Sequence, residues 1–422
     1  MKLCKRPWID VAIAALALPL AVSAEEAKPG QFKIPGTQTT LTLNAFVEAD
    51  AAYDLSGADE DIRGDDWASF VPFQPLDQRP DQIAEPARLY FTARTSRIGL
   101  TSETATSLGA LTVRVEGDFN SPSAFNYSTE ATTNGTNFRI RHAYGEFVGL
   151  LVGQTWSNFI DLASLPDTVD FNPHGAFALI RQPMVKYTLK LGAPSVAVAL
   201  ENPQSLVVGT DTSGGSLTVG RRYDRFPDIT ANVTVPFRFG HLNVRGVALE
   251  YNGQTSAAGA TELHQWGWGA GVSGSLKFAP LTLVASVQGG DGIGRYTFQS
   301  LLQGAVLVGN NIDLWRSIAY HAGLAMAWTP AVRSNVIWTQ TIFDENQTAL
   351  AAAGATAINS DVVANRWVNV LFVNTFFDPV ANLELGIEYA FGRRTIFANV
   401  ATGGNLDGTQ HRINGLARYK FF

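Results

Sequence analysis

Cysteine is almost absent from this 422-residue chain. The one present, Cys4, lies in the first few residues, too early for a lipid-attachment cysteine. The segment around it reads as a secretory signal peptide, Met1 to Ala24. Lys2, Lys5 and Arg6 form its basic start, Val11 to Leu20 its apolar stretch, and Val22, Ser23 and Ala24 its small-residue cleavage site. A mature chain without cysteine excludes disulfides and thiolate chemistry. Charge is also scarce, 16% of residues against about 25% in soluble proteins. No run of 18 apolar residues follows the N-terminus, so no transmembrane helix is offered. Three of the 31 basic and one of the 37 acidic residues leave with the peptide, taking the net charge from -6 to -8, which makes nucleic acid an unexpected partner. There is no H-E-x-x-H, G-x-S-x-G or P-loop. The six histidines, at 142, 174, 241, 264, 321 and 411, are scattered. Nothing calls for a cofactor. The acidic run Asp59, Glu60, Asp61, Asp65 and Asp66 lacks EF-hand spacing and reads as a solvated loop or a loose calcium site.

What is present is alternation. The chain is 46% apolar without long apolar runs, the pattern of strands whose every second residue is hydrophobic. After a polar leader over 25–40, Leu41, Leu43, Ala45, Val47, Ala49 and Ala51 share one face, and Thr42, Asn44, Glu48 and Asp50 the other, with Phe46 breaking the polar face. Similar faces recur at Leu111, Val113 and Val115, at Trp266, Trp268, Ala270 and Val272, and at Leu383, Leu385, Ile387 and Tyr389. Eight long polar loops alternate with seven short turns. The turns are placed between 104 and 109, at 148–149, 192–194, 240–241, 279–280, 329–330 and 378–379. This rhythm predicts an all-β fold, a transmembrane antiparallel β-barrel of about 16 strands over 41–422. Aromatics such as Trp266, Trp315, Trp328, Trp367, Tyr389 and Tyr419 fall at strand ends, as an interfacial girdle in outer-membrane lipid requires. The final strand closes on Tyr419, Phe421 and Phe422, which resembles the C-terminal signal of bacterial outer-membrane barrels. The stretch Val368 to Phe377 is apolar on both faces, suiting a subunit contact or packing beneath an inner loop.

The third long loop, after Gln154, is irregular and holds Asp161, Asp167 and Asp170. It is expected to fold inward and narrow a pore. Arg88, Arg94, Arg114, Arg139, Arg141, Lys186, Lys190, Arg412, Arg418 and Lys420 oppose the apolar face of their strands. A cation at mid-bilayer on the lipid side costs about 2–4 kcal/mol. Arg97 must avoid lipid too, although its odd spacing from Arg94 requires a bulge or a strand end between them. Guanidiniums in a low-dielectric channel raise the local concentration of carboxylates. Arg94, Arg97, Arg114, Arg139, Arg141, Arg181 and Lys186 are therefore the candidate pore lining, facing the loop aspartates. Glu116 and Asp118 on the same face would neutralise part of it. His142, at the wrong parity, is assigned to the barrel exterior or a subunit contact. Two other readings remain: a weakly selective general porin, and a barrel-embedded hydrolase using His142 or His321.

The motifs at 93–99 (ARTSRIG), 116–119 (EGDF), 139–146 (RIRHAYGE) and 153–159 (GQTWSNF), then 170–172 (DFN) and 181–183 (RQP), resemble the DcaP-like porins of Gram-negative outer membranes. The resemblance covers about 90 residues in the same order, and beyond it only the strand rhythm agrees. It implies a trimer of 16-stranded barrels whose arginine-rich constriction passes small anions such as dicarboxylates. Some members carry an N-terminal coiled coil, whereas the leader here has no heptads.

Overall fold

A computed structural model describes residues 29–56, 88–121, 137–170, 176–204, 207–208, 224–254, 262–297, 304–308, 311–346, 365–397 and 407–422. The signal peptide, the acidic run at 59–66 and His174 lie outside these residues. Sixteen antiparallel strands form the wall: β1 Thr39–Ser56, β2 Arg88–Thr92 with Arg97–Thr106, β3 Gly109–Ser121, β4 Asn137–Phe147, β5 Leu150–Trp156, β6 Arg181–Lys190, β7 Ser195–Glu201 and β8 Asp228–Phe237. β9 is Gly240–Gln254, β10 Glu262–Phe278, β11 Leu281–Asp291, β12 Arg316–Thr329, β13 Val332–Phe343, β14 Asn365–Val380, β15 Leu383–Ile396 and β16 Asp407–Lys420. β1 pairs with β16, for instance Ala49 opposite Ala417, so the sheet closes into a barrel without a free edge. β16 ends opposite Phe46. Below that point Gln31–Lys33 of the leader pairs with residues 40–42 of β1. Part of the leader thus belongs to the wall.

The alternation read from sequence is the alternation of the wall. Val113 and Val115 are exposed on the outside while Glu116 and Asp118 are buried inside. Trp266, Trp268, Val272 and Phe278 face out where Ser273 and Ser275 face in. Two irregularities re-aim charged residues. β2 breaks at 93–96, where the Ser96 amide donates to the Ala93 carbonyl at 3.1 Å, and this brings Arg97 inward. β4 carries a bulge: Glu116 pairs with His142 but Gly117 pairs with Ile140, so Arg141 is the extra residue. Arg141 and His142 are consequently both buried on the inner side, correcting the exterior placement of His142. Outside, the Phe138 ring covers Gly117, where a Cβ would sit 2.1 Å from it.

Other corrections concern turns and girdle. The hairpins turn at 238–239, 330–331 and 381–382, not at 240–241, 329–330 and 378–379. Pro379 cannot donate to the ladder and falls at a register shift between Phe377 and Val380, so β14 runs through it to a turn at Asn382, φ 69°. Trp315 is buried rather than interfacial, donating to the Asp344 carbonyl at 2.9 Å and stacking on Phe397. In β14 the inward Val368, Val370, Phe372 and Phe376 are buried, and Phe376 clusters with Val169 of the third loop.

Among the described residues, the third and sixth loops enter the lumen, together with Val207–Val208 of the fourth. The third runs over 157–180 and includes the short 3-10 turn Leu162–Ser164. The sixth, 292–315, contains a second such turn, Gly294–Tyr296, and two short strands, Ala305–Val308 and Asn311–Leu314. These form a small sheet with Val207–Val208. The inward sixth loop was not foreseen.

Candidate functional site

The inner face of β13, β15, β16 and β1–β4 carries a belt of guanidiniums and carboxylates. Arg139 grips Asp118 with two bonds of 2.8 Å. Arg141 bridges Glu116 at 3.0 Å and Asp118 at 2.8 Å. Arg114 donates to Glu116 at 2.6 Å, and Arg97 lies 3.6 Å from the same carboxylate. Across β1, Arg418 pairs with Glu48 and, at 2.7 Å, with Glu384, which also accepts from Arg333 at 3.0 Å. The inward Phe46 joins the two halves: its ring lies 5.0 Å from the Arg97 guanidinium and 5.1 Å from that of Arg418. Guanidinium forks held on carboxylates keep these cations oriented, and the buried Arg141 is paired with both Glu116 and Asp118.

The third loop crosses the lumen and is moored on β9, β10, β12, β13 and β15. Asp161 Oδ2 lies 2.7 Å from His241 Nε2 and accepts from Ser273 Oγ at 2.7 Å. His321 Nε2 donates to the Ser164 carbonyl at 3.0 Å. Asp167 takes the Arg333 guanidinium at 2.8 Å. The amides of Val169 and Asp170 donate to Glu388 at 3.0 and 2.9 Å. Asp161 therefore holds the loop to the wall away from the belt, whereas Asp167 is paired with Arg333 of the belt itself. Ser275, His241 and Asp161 are hydrogen-bonded in a row, the order of a hydrolase triad. Ser275 is only 4% exposed, so its hydroxyl gives no access to an ester carbonyl. His142 bonds the Thr155 hydroxyl and His321 the Ser164 carbonyl, so the hydrogen bonds of both histidines of the hydrolase reading go to groups other than a serine hydroxyl.

Between loop and belt lies a cavity of about 360 Å³. Arg139, Arg141, Arg418 and Glu48 line it from the wall, Leu165, Pro166, Asp167, Val169 and Asp170 from the loop, and Trp156 and Arg181 from β5 and β6. The Arg181 guanidinium lies over the Trp156 ring, 3.6 Å from its centroid, and has no carboxylate within 4.0 Å among the described residues. Of the seven expected lining cations, Arg139, Arg141 and Arg181 border this cavity. Arg97 and Arg114 stand behind them on Glu116, and Arg94 and half-buried Lys186 lie outside the lining.

A sequence model of the DcaP outer membrane protein family matches residues 13–421. The chain belongs to that family. No curated protein matches it. Among solved structures it is similar to the outer membrane channel DcaP of Acinetobacter baumannii, with 24% identity, 92% of this chain and 99% of that one covered, and a TM-score of 0.70. An anion-selective porin from Comamonas acidovorans shares the fold at 11% identity, covering 90% and 99%, with a TM-score of 0.53. So does OmpT of Vibrio cholerae, solved in a trimer form, at 11% identity, 90% and 99%, and 0.53. The chain is thus an outer-membrane porin-type channel, and family and fold are those of a channel and not of an enzyme. In this DcaP-family barrel, sequence reasoning missed Arg333, Glu384, Glu48 and the role of Phe46. Phe46 was the available signal, as an aromatic on an otherwise polar face.

Proposed function

We propose that this DcaP-family barrel passes small anions, carboxylates and dicarboxylates foremost, through the cavity between the arginine belt and the third loop. Arg181 carries the reading. Its guanidinium borders the cavity on an aromatic platform, and among the described residues no carboxylate lies within 4.0 Å of it. The neighbouring Arg139 and Arg141 forks offer a second point of charge, so a solute with two carboxylates finds two partners in one chamber. The anion-selective porin of similar fold supports the same direction. Residues 1–24 act as the export signal, and the barrel assembles as a homotrimer, as the trimer form of a porin of similar fold supports.

A weakly selective general pore is the second reading, favoured by Glu116, Asp118, Glu48 and Glu384, each engaged by arginine. Reversal potentials in planar bilayers under a potassium chloride gradient separate the two. Anion preference that falls in Arg181→Gln supports the first, whereas a cation-preferring native channel overturns it. Competition by succinate against chloride current tests the dicarboxylate class.

A further inference from the structure

The part of the lumen beside β9 and β10 is filled. Inward positions there, which would carry polar groups in a water-filled pore, are Val247, Leu249 and Tyr251 on β9. On the adjoining β10 the inward positions 267, 269 and 271 are all glycine. The sixth loop occupies the space so created. Ile293, fully buried, lies against Gly269, where a Cβ would sit 2.8 Å from its Cδ1. Arg245 fills the room over Gly271. Tyr251 Oη donates to the Gly292 carbonyl at 2.7 Å, fixing the point where the loop turns inward.

Just after that point, Arg295 donates to Gln182 on β6 at 2.6 Å, to the Asn202 carbonyl at 2.9 Å and to Asp228 on β8. Tyr296 donates to Asp228 at 2.8 Å and meets the Phe159 ring edge-on at 5.7 Å. Phe159 begins the third loop, and Glu201 accepts the preceding Asn158 amide at 2.7 Å. The sixth loop is therefore wedged between the β9–β10 wall and the root of the third.

We propose that the sixth loop is a fixed second plug that sets the size limit of this channel, with Arg295 as its positioning residue. It closes the β9–β10 side and supports the third loop from behind, so solutes pass only beside the arginine belt. The inference needs only that the barrel conducts, not that it prefers anions. Neutral sugars read size without charge. The test is liposome swelling with glucose, sucrose and raffinose on native protein and on Gly269→Leu, Arg295→Leu and Arg295→Lys, each checked for heat-modifiable migration as a folded barrel. Gly269→Leu displaces Ile293 while leaving every charge paired, so it stays informative if Arg295→Leu does not fold. The expected result is a several-fold rise in the raffinose-to-glucose rate for Gly269→Leu and Arg295→Leu, and a ratio near native for Arg295→Lys. Folded Gly269→Leu with an unchanged ratio overturns the proposal. An unaltered sugar ratio with altered ion selectivity would overturn it without touching the anion reading, and the reverse outcome would leave it standing if the anion reading fell.

Discussion

The two sides of the lumen are built from opposite materials. Along β1–β4, β15 and β16 the inward residues are arginine, glutamate and aspartate, tied into pairs and turned toward a cavity. Along β9 and β10, apolar residues and glycine receive an inserted loop, and the polar groups around it are satisfied by hydroxyls and amides, as where Arg245 donates to Ser273, Ser286 and Gln288 at 2.7, 2.8 and 3.0 Å, or by ion pairing, as between Arg295 and Asp228. Barrel closure alone does not determine which part of a lumen is pore. Paired charges that keep a face toward space conduct, and apolar positions backed by glycine are filled, because water in contact with them is unfavourable.

The contrast breaks most severely at Asp118. It holds both Arg139 and Arg141, and its side chain is fully buried. Asp118→Ala leaves two guanidiniums without that acceptor, a loss of about 3–5 kcal/mol for a broken buried pair, read as a lower urea midpoint in detergent. On the filled side, Ile293→Ala removes a fully buried side chain next to Gly269. A cost of about 2–5 kcal/mol follows for such a truncation. The effect should be local: increased hydrogen exchange at 292–297 with the belt unaffected. If exchange rises equally at β4, the two sides are one cooperative unit and the division drawn here fails. The third change tests inside against outside. Arg114 faces in and its neighbour Val115 is exposed on the outer face. Val115→Arg should cost about 2–4 kcal/mol if it lies near mid-bilayer, whereas Arg114→Val should lower stability less and alter selectivity instead.

How far the sequence carried the comparison depends on the distance between partners. Period-two alternation placed Arg114, Arg139 and Arg418 inside because a single strand determines parity. His142 failed because the bulge at Arg141 adds one residue, and nothing in RIRHAYGE announces it. The mooring of Asp161 on His241, 80 residues away, and of Asp167 on Arg333, 166 away, depends on closure of the whole barrel. Local pattern cannot reveal such partners. The sixth loop left a trace, since glycine at 267, 269 and 271 removes three consecutive inward side chains from a strand whose outward face is unbroken tryptophan, alanine and valine. That pattern states that another backbone approaches closely, though not which one.

The smallest expected effect is at Phe46, and it probes how the charged side holds its shape. Two like charges flank one ring, Arg97 at 5.0 Å and Arg418 at 5.1 Å. Each guanidinium also has a carboxylate, Glu116 for Arg97 and Glu48 for Arg418. The ring therefore adds a second restraint worth about 0.5–2 kcal/mol per cation, too little to unfold the barrel. Phe46→Leu keeps an apolar side chain of similar size but removes the aromatic face. Stability should change by about 1 kcal/mol, while anion preference shifts modestly as Arg97 and Arg418 gain freedom. Phe46→Trp should restore it. If Phe46→Leu conducts with native selectivity, the carboxylates alone orient the belt and the aromatic on the polar face only fills space. If leucine alters selectivity and tryptophan restores it, the quadrupole is part of what fixes the charge that a passing solute meets.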